Sequence, residues 1–489
     1  MAPSIVHRLS QELGIQTVVK AGRDALLLIV TRCIRMFAYG SSTLILALYF
    51  SSLGHSDEQI GLFMTLTLLG DVAISLILTS TADALGRRRI LLLGAVLMTA
   101  SGIVFAVTSN YYVLLIAAIV GVISPSGNEI GPFRAVEEST LAHLSEAETR
   151  SDIFAWHVMA GSLGTAGGSL ASGWLVQRLR SGGWSDVAAY RAVFWIYALI
   201  GCIKAALTLL LSSRCEAQPI AKQRDTQADE SELQEGLLES ENSAARNEGS
   251  EPVKPLPKKT KIAQITPESR SILYKLCALF SIDSLASGMI PFSLISFYLD
   301  RKFHMAQGKL GSIMSGAWFV SSISSLFASA ISKRIGPVKT MAFTSIPAAI
   351  FLSLLPAPSS LAVTIVLLVA RACLSQMDQA PRSTFISVVF LAEERTAIMG
   401  VFNTLKTAAQ SAGPTITGFL AGKNRFWIAF AAAGTLKASY NIGLLAMFMD
   451  MGRHDRKTVN TPVSIPLESS EHERDWSPTR NSDQQHGRL

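Results

Sequence analysis

The chain has 489 residues, 49% of them hydrophobic and only 16% charged, with a mean hydropathy of +0.35. A soluble chain of this length carries more charge, so the composition points to membrane residence. The net charge of +7 does not call for a nucleic-acid partner, because the bases gather at the ends of apolar runs, where they act as topology signals.

A helix needs about 20 mostly apolar residues to cross a bilayer. In chain order, residues 1–24 are expected to be a cytosolic N-terminal segment. Apolar runs then predict spans at 25–51, 58–81, 89–109, 111–133, 150–177 and 190–212, a first bundle over 25–212. Residues 213–268 are rich in Glu, Ser, Gln, Lys and Pro, which predicts a disordered cytosolic linker. Six more spans follow at 270–299, 306–331, 338–355, 360–380, 395–420 and 425–449, a second bundle over 269–450. The tail, 451–489, reads like the linker. The expected fold is an all-α membrane protein of about twelve transmembrane helices in two pseudo-symmetric six-helix bundles.

The two halves resemble each other in sequence. Ala147, Glu148, Arg150, Ile153, Gly168, Gly173 and Leu175 align without gaps on Ala392, Glu393, Arg395, Ile398, Gly413, Gly418 and Leu420. Gly61 falls on Gly311, Gly86 on Gly336 and Lys204 on Lys437. Agreement of several segments in the same order indicates gene duplication. An even number of spans in each copy gives both the same orientation, the parallel-repeat plan. Arg87, Arg88 and Arg89, with Lys333, Arg334 and Lys339, place the second-to-third and eighth-to-ninth connections in the cytosol, and both termini with them. Tyr111, Tyr112, Trp184 and Tyr190 would form an aromatic belt at the opposite face.

The stretch TADALGRRRILLLG, Thr81 to Gly94, sets an aspartate and three arginines between two spans. Gly86 permits a tight turn there, and the arginines cannot cross the bilayer. Together with the twelve spans and two halves, this stretch resembles the major facilitator superfamily of transporters. Asp83, Gly86, Arg87 and Arg88 fit that family's loop pattern G-x-L-x-D-R-x-G-R-R, whereas Thr79, Thr81 and Ala84 depart from it. The resemblance implies a cytosolic latch in which Asp83 meets the start of span eleven, near Glu394 to Thr396, with Arg150 and Arg395 as partners. A positive helix N-terminus favours such an anion. A glycine-rich antiporter signature in span five is half present, with Gly167 and Gly168 kept and Leu163 and Gly164 in place of its Gly-Pro.

Ionisable groups inside spans are costly and mark function or structural pairing. Arg35, Asp71, Glu129, Lys204, Asp283, Arg371, Asp378, Lys406 and Lys437 are the candidates for a substrate or proton site. Glu129 and Asp378 each precede a proline by three residues, which predicts interrupted helices at cavity depth. Mid-span bases outnumber mid-span acids, which favours an organic anion as solute. His157, in span five, reads first as a packing residue and second as a titrating one.

No Walker loop and no nucleophile elbow occurs, so neither ATP nor hydrolytic chemistry is expected. Cys33, Cys202, Cys215, Cys277 and Cys373 lack metal-ligand spacing, and neither a metal nor a cofactor is expected. The expected function is secondary active transport of a small solute by rocking of two bundles, with protons as the candidate coupling ion. The alternatives are a drug or xenobiotic exporter on the same fold and a transport-inactive membrane sensor. Expected partners are the solute and the lipid bilayer, with the chain acting as a monomer, not as an enzyme, in the plasma membrane or an internal one.

Overall fold

The computed structural model describes residues 21–121, 123, 132–145, 149–216, 267–378, 381, 382, 385 and 395–448. Among them the regular structure is helical. The first half comprises α1 (Arg23–Ser52), α2 (Asp57–Leu85), α3 (Arg87–Val107), α4 (Tyr111–Val120), α5 (Pro132–Leu144), α6 (Arg150–Ser181) and α7 (Asp186–Leu209), then a 3-10 turn at Ser213–Cys215. The second comprises α8 (Pro267–Met289), α9 (Phe292–Phe303), α10 (Gln307–Ile335), α11 (Pro337–Leu354), α12 (Leu361–Ser375), α13 (Arg395–Gly422) and α14 (Phe426–Phe448).

Two spans differ from expectation. The seventh is two helices, because Pro291 lacks the amide that would continue the ladder, so α9 restarts behind it. The fourth, expected to end at residue 133, leaves α4 at Val120 and is helical again from Pro132 to Leu144, so the chain keeps a helix past the predicted boundary. Within the stretch expected to be linker, Ser213–Cys215 form a 3-10 turn and a helix starts at Pro267. The remaining linker residues, the tail from 449, residues 1–20 and Glu129 lie outside the described residues.

Local chemistry sets the helix ends. The Asn110 side chain accepts hydrogen bonds from the amides of Tyr112 and Val113 at the start of α4, and Ser185 does the same for Ala188 in α7. At Gly86 and Gly336 the backbone takes φ of 93° and 90°, which an L side chain resists, and this allows the abrupt α2–α3 and α10–α11 turns. The Glu216 carboxylate then caps α3, accepting from the Arg87 amide at 2.7 Å and the Arg88 amide at 3.3 Å. Beside it Ser212 binds Asp24 through both its amide and its hydroxyl.

Packing repeats between halves along the sequence register. A β-carbon on Gly40 would strike the Thr165 carbonyl, and one on Gly288 would strike the carbonyl of Gln410, the register equivalent of Thr165. Gly201 likewise lies against Thr99, and Gly434 against Ala349. Small residues let helices approach this closely. On α7, Trp195, Leu199 and Ile203 form an exposed apolar stripe suited to lipid, while Tyr197, Gly201 and Lys204 turn inward.

At the end carrying Trp184, the halves meet. Gly61 on α2 abuts Gly418 on α13, and Gly173 on α6 abuts Gly311 on α10. The Thr415 hydroxyl donates to Thr65 at 2.7 Å, Trp174 donates to Ser312 at 3.1 Å, and Arg301 pairs with Asp57 at 2.6 Å. Tyr49, Phe50, Phe63, Phe105 and Phe194 form a buried aromatic core beneath this seal.

Candidate solute site

Two buried charge clusters sit at matching places in the two halves. In the first, Arg35 of α1 donates to Glu137 of α5 at 2.6 Å, and Lys204 of α7 lies 3.8 Å from the other Glu137 oxygen. His157 of α6 is 3.7 Å from Glu137, and its second ring nitrogen is 3.2 Å from the Arg32 guanidinium. In the second, Arg382 donates to Asp283 of α8 at 2.9 Å and to Asp378 at 2.6 Å. Lys437 of α14 donates to the same Asp283 at 3.2 Å and to the Ser287 hydroxyl at 2.8 Å.

Aromatic faces back the cations. Lys204 lies over the Phe133 ring, and the Arg382 guanidinium over Phe280 and Tyr440, with centroid distances of 5.7, 5.2 and 5.5 Å. Both clusters therefore satisfy the rule that buried charge is paired.

Of the residues named from sequence, the structure gathers Arg35 and Lys204 into the first cluster, and Asp283, Asp378 and Lys437 into the second. His157, fully buried, belongs to the first cluster and is more than packing. Asp71 is buried on α2. Arg371 and Lys406 are half-buried and make no ion pair among the described residues. Arg371 shares a helix face with buried Thr364 and Leu368, and Lys406 lies one turn from buried Phe402 and Gln410, so both sit on inward faces rather than on the lipid side. Asp83, Arg150 and Arg395 lie within helices α2, α6 and α13, but their side chains lie outside the described residues, as does Glu129. Arg87 and Arg88 follow Gly86 under the Glu216 cap.

Sequence reasoning missed Arg32, Glu137 and Arg382. The last two lie just past the expected ends of spans four and ten, where Pro132 and Pro381 suggested that helix had stopped. The available signal was the lone pair of arginines in span one, Arg32 and Arg35, which demands a buried counter-ion.

The sequence model of the Major Facilitator Superfamily matches residues 28–266 and 276–476. The chain belongs to this superfamily. An uncharacterized membrane protein of Saccharomyces cerevisiae, YJR124C, is 34% identical over 443 residues, covering 90% of this chain and 97% of the relative. The fold is similar to that of the nucleoside transporter NupG, with a TM-score of 0.63 at 15% identity over 87% of this chain and 99% of the other. It is also similar to the inward-open xylose transporter XylE from E. coli, with a TM-score of 0.62 at 13% identity over 86% and 95%. Superfamily membership makes this a multi-pass membrane protein with a transporter fold, not an enzyme fold. Transporters of this superfamily bind small solutes within the membrane.

Proposed function

We propose that the chain is a secondary transporter of a small organic anion, with residues 25–212 and 269–450 rocking as two bodies around a central site and a proton gradient as the source of work. One observation carries the anion reading. Glu137, Asp283 and Asp378 are each engaged by a cation, whereas Arg371 and Lys406 make no ion pair among the described residues and lie on inward faces. Unpaired cations inside a membrane protein attract a carboxylate or phosphate from solution. In this reading the Arg87 end and both termini face the cytosol, and the structure is the state closed at the Trp184 end. Asp83, Arg150 and Arg395 then form the latch of the opposite state.

The test is thermal unfolding of the detergent-purified protein with succinate, inorganic phosphate or choline. A ligand at 100 times its dissociation constant adds about 2.7 kcal/mol of stability. The anions should raise the melting midpoint, and Arg371→Ala and Lys406→Ala should reduce the response. Stabilisation by choline alone would overturn the anion reading in favour of an exporter of cationic compounds.

A further inference from the structure

Each half builds the same chemical unit, a carboxylate held between an arginine and a lysine. In the first half these are Glu137, Arg35 and Lys204; in the second they are Asp283, Arg382 and Lys437. Yet the arginine and the carboxylate have changed places. Arg35 lies five residues before Gly40 and Asp283 five before Gly288, and those two glycines make equivalent contacts, with Thr165 and Gln410. Counted from the Ala147–Ala392 alignment, Glu137 falls on Arg382. Counted from Pro132 and Pro381, the two lie one helical turn apart on the same face. Span one therefore carries the cation of its tie and span seven the anion, within one duplicated frame. The lysine alone keeps both its place and its sign.

A bond between two helices depends on the product of the charges and is unchanged when both signs reverse. A group that meets a solute of fixed charge has no such freedom. We infer that the Arg35–Glu137 and Asp283–Arg382 pairs are polarity-independent positioning ties between the innermost helices, and that Lys204 and Lys437 supply the sign-specific charge that selects an anion. This assignment rests on the anion reading above. Lys437, with a quarter of its side chain accessible, meets the solute in the present state; Lys204 is sealed against Glu137. Asp378 is an additional acid on Arg382, and Arg32 an additional cation behind His157.

The experiment uses the full chain in detergent, with melting midpoint and succinate or phosphate response as readouts. Arg35→Glu and Glu137→Arg should each lower the midpoint, and the double variant should recover both the midpoint and the anion response. Lys437→Met leaves Asp283 paired with Arg382 and should lower the midpoint less than either single tie variant, but weaken anion binding by about tenfold or more, the loss expected for a truncated charge contact. Lys437→Arg should retain binding. Single variants at the wild-type midpoint, a double variant that stays low or refolds without its anion response, or an undiminished response in Lys437→Met would each overturn the assignment. A wild-type protein that ignores both anions would instead overturn the anion reading, while midpoint recovery in the double variant would still decide whether the tie is polarity-independent.

Discussion

Gly61 of α2 and Gly418 of α13 pack so closely that a β-carbon on either would lie 2.9 Å from the other's Cα. The repeat supplies the same contact between Gly173 and Gly311. Overfilling a tight contact costs about 1–3 kcal/mol, and only the state in which these helices touch bears it. Gly418→Leu should therefore shift the population away from the closed Trp184 end by about tenfold, since about 1.4 kcal/mol is a factor of ten in an equilibrium. Distances between spin labels at exposed Ser56 and Lys423 should gain a longer component. An unchanged distribution would mean that the glycines do not set this equilibrium.

Glu137→Gln strips Arg35 and Lys204 of a shared counter-ion in a fully buried place. Breaking a buried pair from one side costs about 3–5 kcal/mol, so denaturant unfolding in detergent should show a loss of that size. Arg35→Lys, which keeps the charge but not the fork, should lose less. A loss for Glu137→Gln below about 1 kcal/mol, the range of exposed pairs, would contradict the burial argument.

The Asp57–Arg301 bridge is as short as Arg35–Glu137, at 2.6 Å, but Arg301 is 45% exposed. Solvent screens such a pair, and Asp57→Asn should cost no more than about 1 kcal/mol. Its effect should also fade as salt is raised. Double-mutant cycles with Arg301→Ala at low and high salt would measure this. A coupling energy that salt leaves intact would show that the bridge is shielded in solution.

Glu216→Ala removes the acceptor for the Arg87 and Arg88 amides, and a lost N-terminal cap costs about 0.5–2 kcal/mol. Hydrogen exchange at those two amides should accelerate by roughly the corresponding factor, about tenfold per 1.4 kcal/mol. Tyr112, capped by Asn110, should keep its protection. Equal acceleration at both sites would indicate global loosening.

Burial, and then the Asp24 carboxylate, push the Cys215 thiol up to about 11. A raised thiol pKa means that thiolate is scarce until the pH approaches that value. Maleimide at pH 8 should therefore modify Cys215 far more slowly in the folded protein than in denaturant, with the rate climbing toward pH 11. Equal rates would place the 3-10 turn away from the bundle.

Much of the fold is legible because it follows from one-dimensional signals. Apolar length placed the spans, Gly86 and Gly336 marked the turns, and the two-fold register predicted that Gly173 and Gly418 would be equivalent. The clusters were only half legible. Hydropathy falls where a helix carries charge, so Glu137 and Arg382 looked like residues beyond the membrane, although their partners Arg35 and Asp283 were found at once. Pairing across helices is a property of tertiary packing, and no spacing within the chain encodes it. The Arg301–Asp57 bridge is equally invisible in the sequence, because its two residues lie in different halves.

The Asp24–Ser212 and Glu216–Arg87 contacts bring the first helix of the N-terminal half, the segment that follows its last helix and its second loop together without using any residue of the C-terminal half. That half closes on itself as soon as residue 216 is made. Biogenesis can then proceed in two stages, the leading bundle completed in the membrane before the trailing one leaves the ribosome. Two separately synthesised polypeptides divided between residues 217 and 266 should accordingly reassemble into one protein.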